Sequence, residues 1–337
     1  MAKANLVEAF QALAHEKRID EFYLIEKLEE SLAHSYKHTL RLENDCNVLI
    51  DREEGKIYVY ELVPVGEPNE DGEYEEFEEV DVTPDDVSRI AAQNAKTVIN
   101  NIVRDAEKQA VYEEFADRVG EIVTGTILQH TRDFTIVKIR EGVEAELPHF
   151  DTRRHPEERN EVPKGEHYFH NQRIKVLIID VRDPLSEDLR RAERNRPSIV
   201  VSRSNPNLIK ALFEMEVPEI YDGLVEINSV AREPGARSKI SVLSHDENVD
   251  AVGACVGPRG SRVRMVVEEL HSERVDVIQY SDDAAKFIAS ALSPAVVNHV
   301  TLDEETKTAS VFVADDQLSF AIGKEGQNAR LAARLTG

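Results

Sequence analysis

Two short loops of one form constrain this chain more than any other feature. Val256-Gly257-Pro258-Arg259-Gly260 and Ile322-Gly323-Lys324-Glu325-Gly326 both read apolar-Gly-x-x-Gly. Each follows a run that reads as helix and opens a longer one, Ser261 to Leu270 in the first case and Gln327 to Leu335 in the second. Glycine lets the backbone come close to another group, and a helix start behind it offers free N–H groups to an anion. Two such devices on one chain predict a surface that grips an extended polyanion at two points.

The pattern around the loops repeats. The sequence predicts a helix over Leu208 to Phe213, then strands Gly223 to Ala231 and Lys239 to Leu243 around the turn Arg232-Glu-Pro-Gly-Ala-Arg237. The first helix–loop–helix and a strand, Arg274 to Tyr280, complete one α/β unit. The second unit has a helix over Asp282 to Leu292, strands Ala295 to Leu302 and Thr308 to Val313, a helix Gln317 to Ala321, and its own loop and helix. An internal repeat of one supersecondary unit follows. No strand comes after the second copy. The last domain is therefore expected to be cut short at Gly337, or to take that strand from elsewhere.

Upstream, the period changes from helix to strand. Val119 to Leu128, Phe134 to Arg140, Val143 to Leu147, Arg173 to Val181 and Ser198 to Ser202 read as five short strands. They fit a small closed barrel of the OB type, with Asp151 to Glu166 as a connecting loop. Before them, Ala4 to Leu42 reads as helix, on Leu6, Phe10, Leu13, Ile25, Leu28 and Leu32. Val48 to Ile50 and Ile57 to Val63 read as a hairpin. Glu67 to Asp86 holds eleven acids and no Lys or Arg, and reads as a solvated loop. A helix then starts near Thr83-Pro84 and runs to Phe115, with Ile90, Ala91, Ala95, Val98, Ile102 and Val103 as its apolar stripe.

A net charge of −24 looks unfavourable for a polyanion partner. Its distribution weakens that objection. Up to Phe115 there are 12 Lys and Arg against 28 Asp and Glu, so two-thirds of the excess lies in the first third of the chain. Local patches decide contact with phosphates. No apolar run reaches membrane-spanning length, the N-terminus lacks a signal-peptide core, and Cys46 and Cys255 lack metal-like spacing. A reduced, cytoplasmic protein is expected.

Other phosphate loops fit poorly. Neither copy ends in the Gly-Lys-Ser/Thr of a Walker loop, and Gly253-Ala-Cys-Val-Gly257-Pro-Arg-Gly260 lacks dinucleotide spacing. His34 and His38 stand four apart on a helix, which reads as a solvated face rather than a metal clip. Nothing isolates a nucleophile or an acid–base pair, so no catalytic residue, metal or cofactor is expected. The loops, set between helices after a strand pair, meet the requirements of KH modules, which clamp the sugar-phosphate backbone beside a groove for unpaired bases. The expected RNA contacts are Gly257, Pro258, Arg259, Gly260, Arg262 and Arg264 in the first unit. In the second they are Gly323, Lys324, Glu325, Gly326, Gln327, Asn328 and Arg330. On the barrel, His130, Arg132 and Phe134 supply basic and aromatic groups for stacking and pairing. Lys138, His149, Tyr168, Phe169 and His170 border the same face.

The order helical α+β, OB barrel, KH, KH resembles the NusA family of bacterial transcription elongation and termination factors. The resemblance rests on Phe213-Glu-Met-Glu-Val-Pro-Glu-Ile-Tyr-Asp-Gly223, Ala231-Arg-Glu-Pro-Gly-Ala-Arg237, Val252 to Val263 and Leu318 to Ala332. It implies a multidomain α+β chain: a polymerase-binding domain over 1–115, an S1-type OB domain over 116–203, and type II KH domains over 204–281 and 282–337, the last incomplete. It implies a monomeric, non-enzymatic factor that binds RNA polymerase near the β-subunit flap at the RNA exit channel. It also implies binding of nascent single-stranded RNA, and work with other Nus factors in pausing, termination and antitermination. Lys37, His38 and Arg41 form a basic patch in the acidic domain that is a candidate polymerase contact. The alternative is an RNA-processing or ribosome-associated protein that uses the same modules.

Overall fold

The computed structural model of the chain describes residues 21–51, 56–66, 74, 76–85, 87–149, 162–186, 196–303 and 305–337. The chain divides into two compact units, Met1–Ala110 and Val111–Gly337. Leu6, Phe10 and Leu13, the 52–55 turn, the start of the acidic segment and the connecting loop up to 161 lie outside the described residues, as do the side chains of Ile90, Ala91, Ala95 and Val98.

In the first unit, helix α1 (Glu21–Leu40) carries Ile25, Leu28, Leu32 and Tyr36 at helical spacing, and all four are buried. They pack on the inward residues Val48, Ile50, Ile57 and Val59 of strands β1 (Cys46–Ile50) and β2 (Ile57–Val65). Part of the acidic segment is strand rather than loop. Glu76–Asp81 forms β3, antiparallel to β2 with Tyr60 opposite Asp81, and every one of its side chains is exposed. Carboxylates on an edge strand keep its free side from pairing with another chain. The backbone is thus ordered while the charges stay solvated. Thr83 closes the corner: its Oγ1 accepts from Val59 N–H at 2.9 Å before α2 (Val87–Phe115) begins.

The second unit begins inside α2. Val111, Tyr112 and Phe115 pack in the core of a closed barrel, so the break between units falls after Ala110 and not after Phe115. The barrel strands are β4 (Ile122–His130), β5 (Phe134–Arg140), β6 (Val143–Pro148), β7 (Arg173–Val181) and β8 (Ile199–Ser202). Their order around the barrel is β4-β5-β6-β8-β7, with only β6 and β8 parallel. That is the OB arrangement. Ile127, Val137, Leu147, Val176 and Ile178 fill the interior without exposure.

Two α/β units follow. The first comprises α3 (Pro206–Glu216), the single turn α4 (Pro218–Tyr221), β9 (Val225–Glu233), β10 (Arg237–Ser244), α5 (Ala251–Val256), α6 (Ser261–Glu269) and β11 (Arg274–Gln279). Its sheet runs β11-β10-β9, with β10 antiparallel to β9 and parallel to β11. The second comprises α7 (Ala284–Ala291), β12 (Val297–Asp303), β13 (Thr308–Val313), α8 (Leu318–Ile322) and α9 (Gln327–Thr336), with a two-stranded sheet.

The two α/β units are locked together. Ile240 and Val242 of β10 face the first unit's own helices, while Ala231 and Ile278 on the sheet pack with Leu331, Ala332 and Leu335 of α9. Ser229 Oγ also donates to the Leu335 carbonyl at 3.0 Å. The last helix of the second unit thus covers the open face of the first unit's sheet. Burying three side chains of that size contributes several kcal/mol, at about 1.5–3 kcal/mol for each large one.

Candidate nucleic-acid interface

The two glycine loops have the same backbone. Gly257 has φ 71° and ψ 174°, and Gly323 has 73° and 175°. The third loop residue is left-handed in both, Arg259 at φ 55° and Glu325 at φ 55°. Gly260 and Gly326 follow at φ 74° and 75°. A left-handed residue between two positive-φ glycines turns the chain sharply, and the second glycine's N–H donates back to the first glycine's carbonyl, at 3.0 Å in the first loop and 3.2 Å in the second.

Each loop is tied down from beneath by an equivalent side chain. Arg262 Nη1 donates to the Ala254 carbonyl at 2.7 Å, and Asn328 Nδ2 donates to the Phe320 carbonyl at 3.1 Å. Both acceptors lie three residues before their loop's first glycine. A Cβ on Gly257 would stand 2.7 Å from Arg262 Cγ, and one on Gly323 would stand 2.8 Å from Asn328 Cβ. Glycine is therefore required here by the side chain packed under the turn.

These contacts revise two expected RNA contacts. Arg262 is committed to Ala254 and to Glu219, whose Oε2 lies 2.9 Å away. Asn328 is fully buried, and it also bonds the Leu292 carbonyl. Both shape the loops from inside. The side chains that face outward are Arg259, Arg264 and Lys324, all exposed. Arg264 Nη2 donates to the Arg259 carbonyl at 3.3 Å, and at the matching place Arg330 Nη1 donates to Glu325 at 3.2 Å. Pro258, Glu325 and Gly326 lie in the turns themselves, and Gln327 opens α9.

On the barrel the expected residues come together at the β4–β5 end. Both ring nitrogens of His130 are engaged, with Thr135 Oγ1 at 2.9 Å and the Tyr168 carbonyl at 3.0 Å. His149 lies against the same hydroxyl at 3.0 Å. Phe134 is half-buried, with the Arg196 guanidinium 4.9 Å from its ring centre. Histidine and phenylalanine at these positions hold the strand ends together, which removes His130 as a free phosphate ligand. Arg132 remains exposed, and Phe169, exposed at 69%, is the open aromatic of this end.

The seam between barrel and first α/β unit carries charged groups that periodicity gave no sign of. Arg203 has no exposure. It donates from Nη2 to Glu166 Oε1 at 2.5 Å and from Nε to Glu166 Oε2 at 3.1 Å. Nη1 and Nη2 also reach the carbonyls of Lys175 and Glu269 at 2.8 Å. Burial by itself would raise the Glu166 carboxyl, but the Arg203 guanidinium and the Tyr168 hydroxyl hold it below the usual range. Nearby, Arg232 and Glu273 form a second buried pair at 2.9 Å. Burial pushes the Cys255 thiol up to about 12, so it is an inert core group.

The patch expected on α1 is less basic than its sequence. Lys37 pairs with Asp45, and His38 stands edge-on to His34 with ring centres 4.8 Å apart. Arg41 is exposed just beyond the helix. Among the described residues no group of three His, Cys, Asp or Glu is placed to hold a metal, and no helix is long and apolar enough to cross a membrane.

Three family models match the chain: the NusA N-terminal domain over residues 5–109, the NusA-like first KH domain over 203–280, and the NusA-like second KH domain over 284–337. The chain belongs to the NusA family. It is 42% identical to the transcription termination/antitermination protein NusA of Halalkalibacterium halodurans, over 99% of this chain and 86% of that one. The NusA proteins of Bacillus subtilis and Mycobacterium tuberculosis are also 42% identical, over 99% and 98% of this chain and 89% and 90% of theirs. The two α/β units are thus KH domains of the NusA kind.

Proposed function

We propose that this chain binds RNA polymerase and the emerging single-stranded RNA, and through both modulates pausing, intrinsic termination and antitermination. The observation that carries the reading is the pair of loops with matching torsions, each bare of side chain at its glycines, so that another backbone can come close, and each flanked by outward cations. Arg259 and Arg264 serve the first loop and Lys324 the second. Bases enter the grooves beside the loops, where apolar side chains such as Ile322 and Phe320 are exposed. On the barrel, Arg132 and Phe169 extend the track. In this reading residues 1–110 face polymerase near the β-subunit flap and exit channel, 111–203 form the S1-type domain with the end of α2, and 204–281 and 282–337 form the KH domains. The chain acts in the cytoplasm as a monomeric, non-enzymatic factor alongside other Nus factors.

Transcription in vitro with bacterial polymerase on a template with a hairpin terminator tests this. The wild type should lengthen the pause and raise termination. An R259D/K324D variant should lose most of that effect while keeping its fold. Full activity in that folded variant would refute the proposal.

A further inference from the structure

Arg264 and Arg330 hold equivalent places behind their loops but differ in one respect. Among the described residues Arg264 has no ion-pair partner. Arg330 Nε donates to Glu233 Oε1 at 2.7 Å, and Gln327 Nε2 donates to the other oxygen, Oε2, at 2.7 Å. Glu233 ends β9 in the first KH domain, so a carboxylate from one domain sits on a cation and an amide behind the other domain's loop. It lies in the wall of a cavity of about 790 Å³ between the barrel connection and the two KH domains, and Lys164, Lys324 and Arg334 line the same space.

We infer that Glu233 is an intramolecular stand-in for an RNA phosphate, which holds the second clamp closed until a phosphate displaces it. The inference rests on the RNA-binding reading above. A carboxylate and a phosphodiester oxygen compete for the same guanidinium, and the guanidinium can serve both in turn without moving its stem. The pair is open enough to exchange, since the Arg330 side chain is 45% exposed. An ion pair of this exposure contributes little and is easily replaced. The first clamp, with Arg259 and Arg264 uncompensated, then engages RNA first. The second joins when the strand reaches across the cavity, so the chain discriminates against RNA too short to span both.

The test is a double-mutant cycle on the whole chain with a labelled, mixed-sequence single-stranded RNA of about a dozen nucleotides, enough for two clamps of four and the span between them. Affinity is read against salt for wild type, E233Q, R330A and E233Q/R330A, with thermal melts to show that each is folded. E233Q should bind about two- to fivefold tighter. In the R330A background the E233Q gain should vanish. Unchanged or weaker binding by E233Q would overturn the inference and make Glu233 a plain tie between domains. A gain that persists in R330A would overturn it too, as simple removal of a negative charge. A wild type that does not bind the RNA would overturn the RNA-binding reading itself, before any variant is compared.

Discussion

Arg203 spans the seam between the barrel and the first KH domain and places two of its nitrogens on the two oxygens of Glu166, with both side chains out of solvent. Such a pair is of small net value against an apolar replacement, but halving it is costly, because the buried carboxylate loses its guanidinium and keeps only the Tyr168 hydroxyl and the His271 ring. Arg203→Ala should therefore destabilise residues 111–337 by about 3–5 kcal/mol. Urea denaturation followed by circular dichroism reads this directly. A loss near zero would mean that the seam relaxes to admit water.

The same pair sets an acid limit. Glu166 is held below the usual glutamate range. A carboxylate depressed in the folded state adds stability that is fully present above its unfolded value of about 4.3 and is lost as pH falls through the folded value. The wild-type urea midpoint should hold from neutrality to about pH 5 and then drop. E166Q should start lower and fall less steeply. Parallel curves for the two proteins would contradict this account of the seam.

The glycines of one loop are not equivalent. Gly323 combines φ 73° with ψ 175°, a region essentially reserved for glycine, and a Cβ there would stand 2.9 Å from the Asn328 backbone nitrogen. At Gly326 the conformation is left-handed helical, and the nearest atom to a Cβ is 4.0 Å away. Gly326→Ala should cost about 1 kcal/mol and Gly323→Ala about 2–3 kcal/mol or more. Equal melting temperatures would contradict the packing under the loop. For the same reason a Gly→Asp change at Gly257 or Gly323 confounds repulsion with strain. The exposed positions Arg259 and Lys324 are the cleaner test sites.

Cutting the chain at the boundary between its compact units gives a fourth expectation. Residues 111–337 should fold with the barrel intact, because Val111, Tyr112 and Phe115 stay in its core. They should still bind RNA but fail to co-purify with RNA polymerase. A cut after Phe115 should lower the melting temperature, and retention of polymerase by residues 111–337 would move the polymerase contact out of the first unit.

The fold was legible where it depends on period. The five barrel strands, both KH strand pairs and the helices flanking each loop follow from alternation and three- to four-residue spacing, and the structure shifts their ends by a few residues. The acidic β3 was not legible: a strand exposed on every side chain carries no apolar alternation, and only its backbone pairing with β2 defines it. The loops announced themselves through paired glycines, but the duties of their cations did not. Arg262 and Arg264 are two residues apart on one helix, and only the turn beneath Gly257 separates the structural arginine from the outward one. Arg203, Glu166 and Glu233 meet partners on other domains, and no local spacing encodes such long-range pairing.

Salt dependence of RNA binding tests the two-clamp mechanism most directly. Single-stranded RNA binding by the wild type, measured between about 50 and 200 mM salt, should weaken with a log–log slope of about −2 if Arg259, Arg264 and Lys324 each release a counterion. R259D/K324D should bind far more weakly, with a slope reduced by about 1.4. Wild-type affinity and slope in that folded variant would contradict the account.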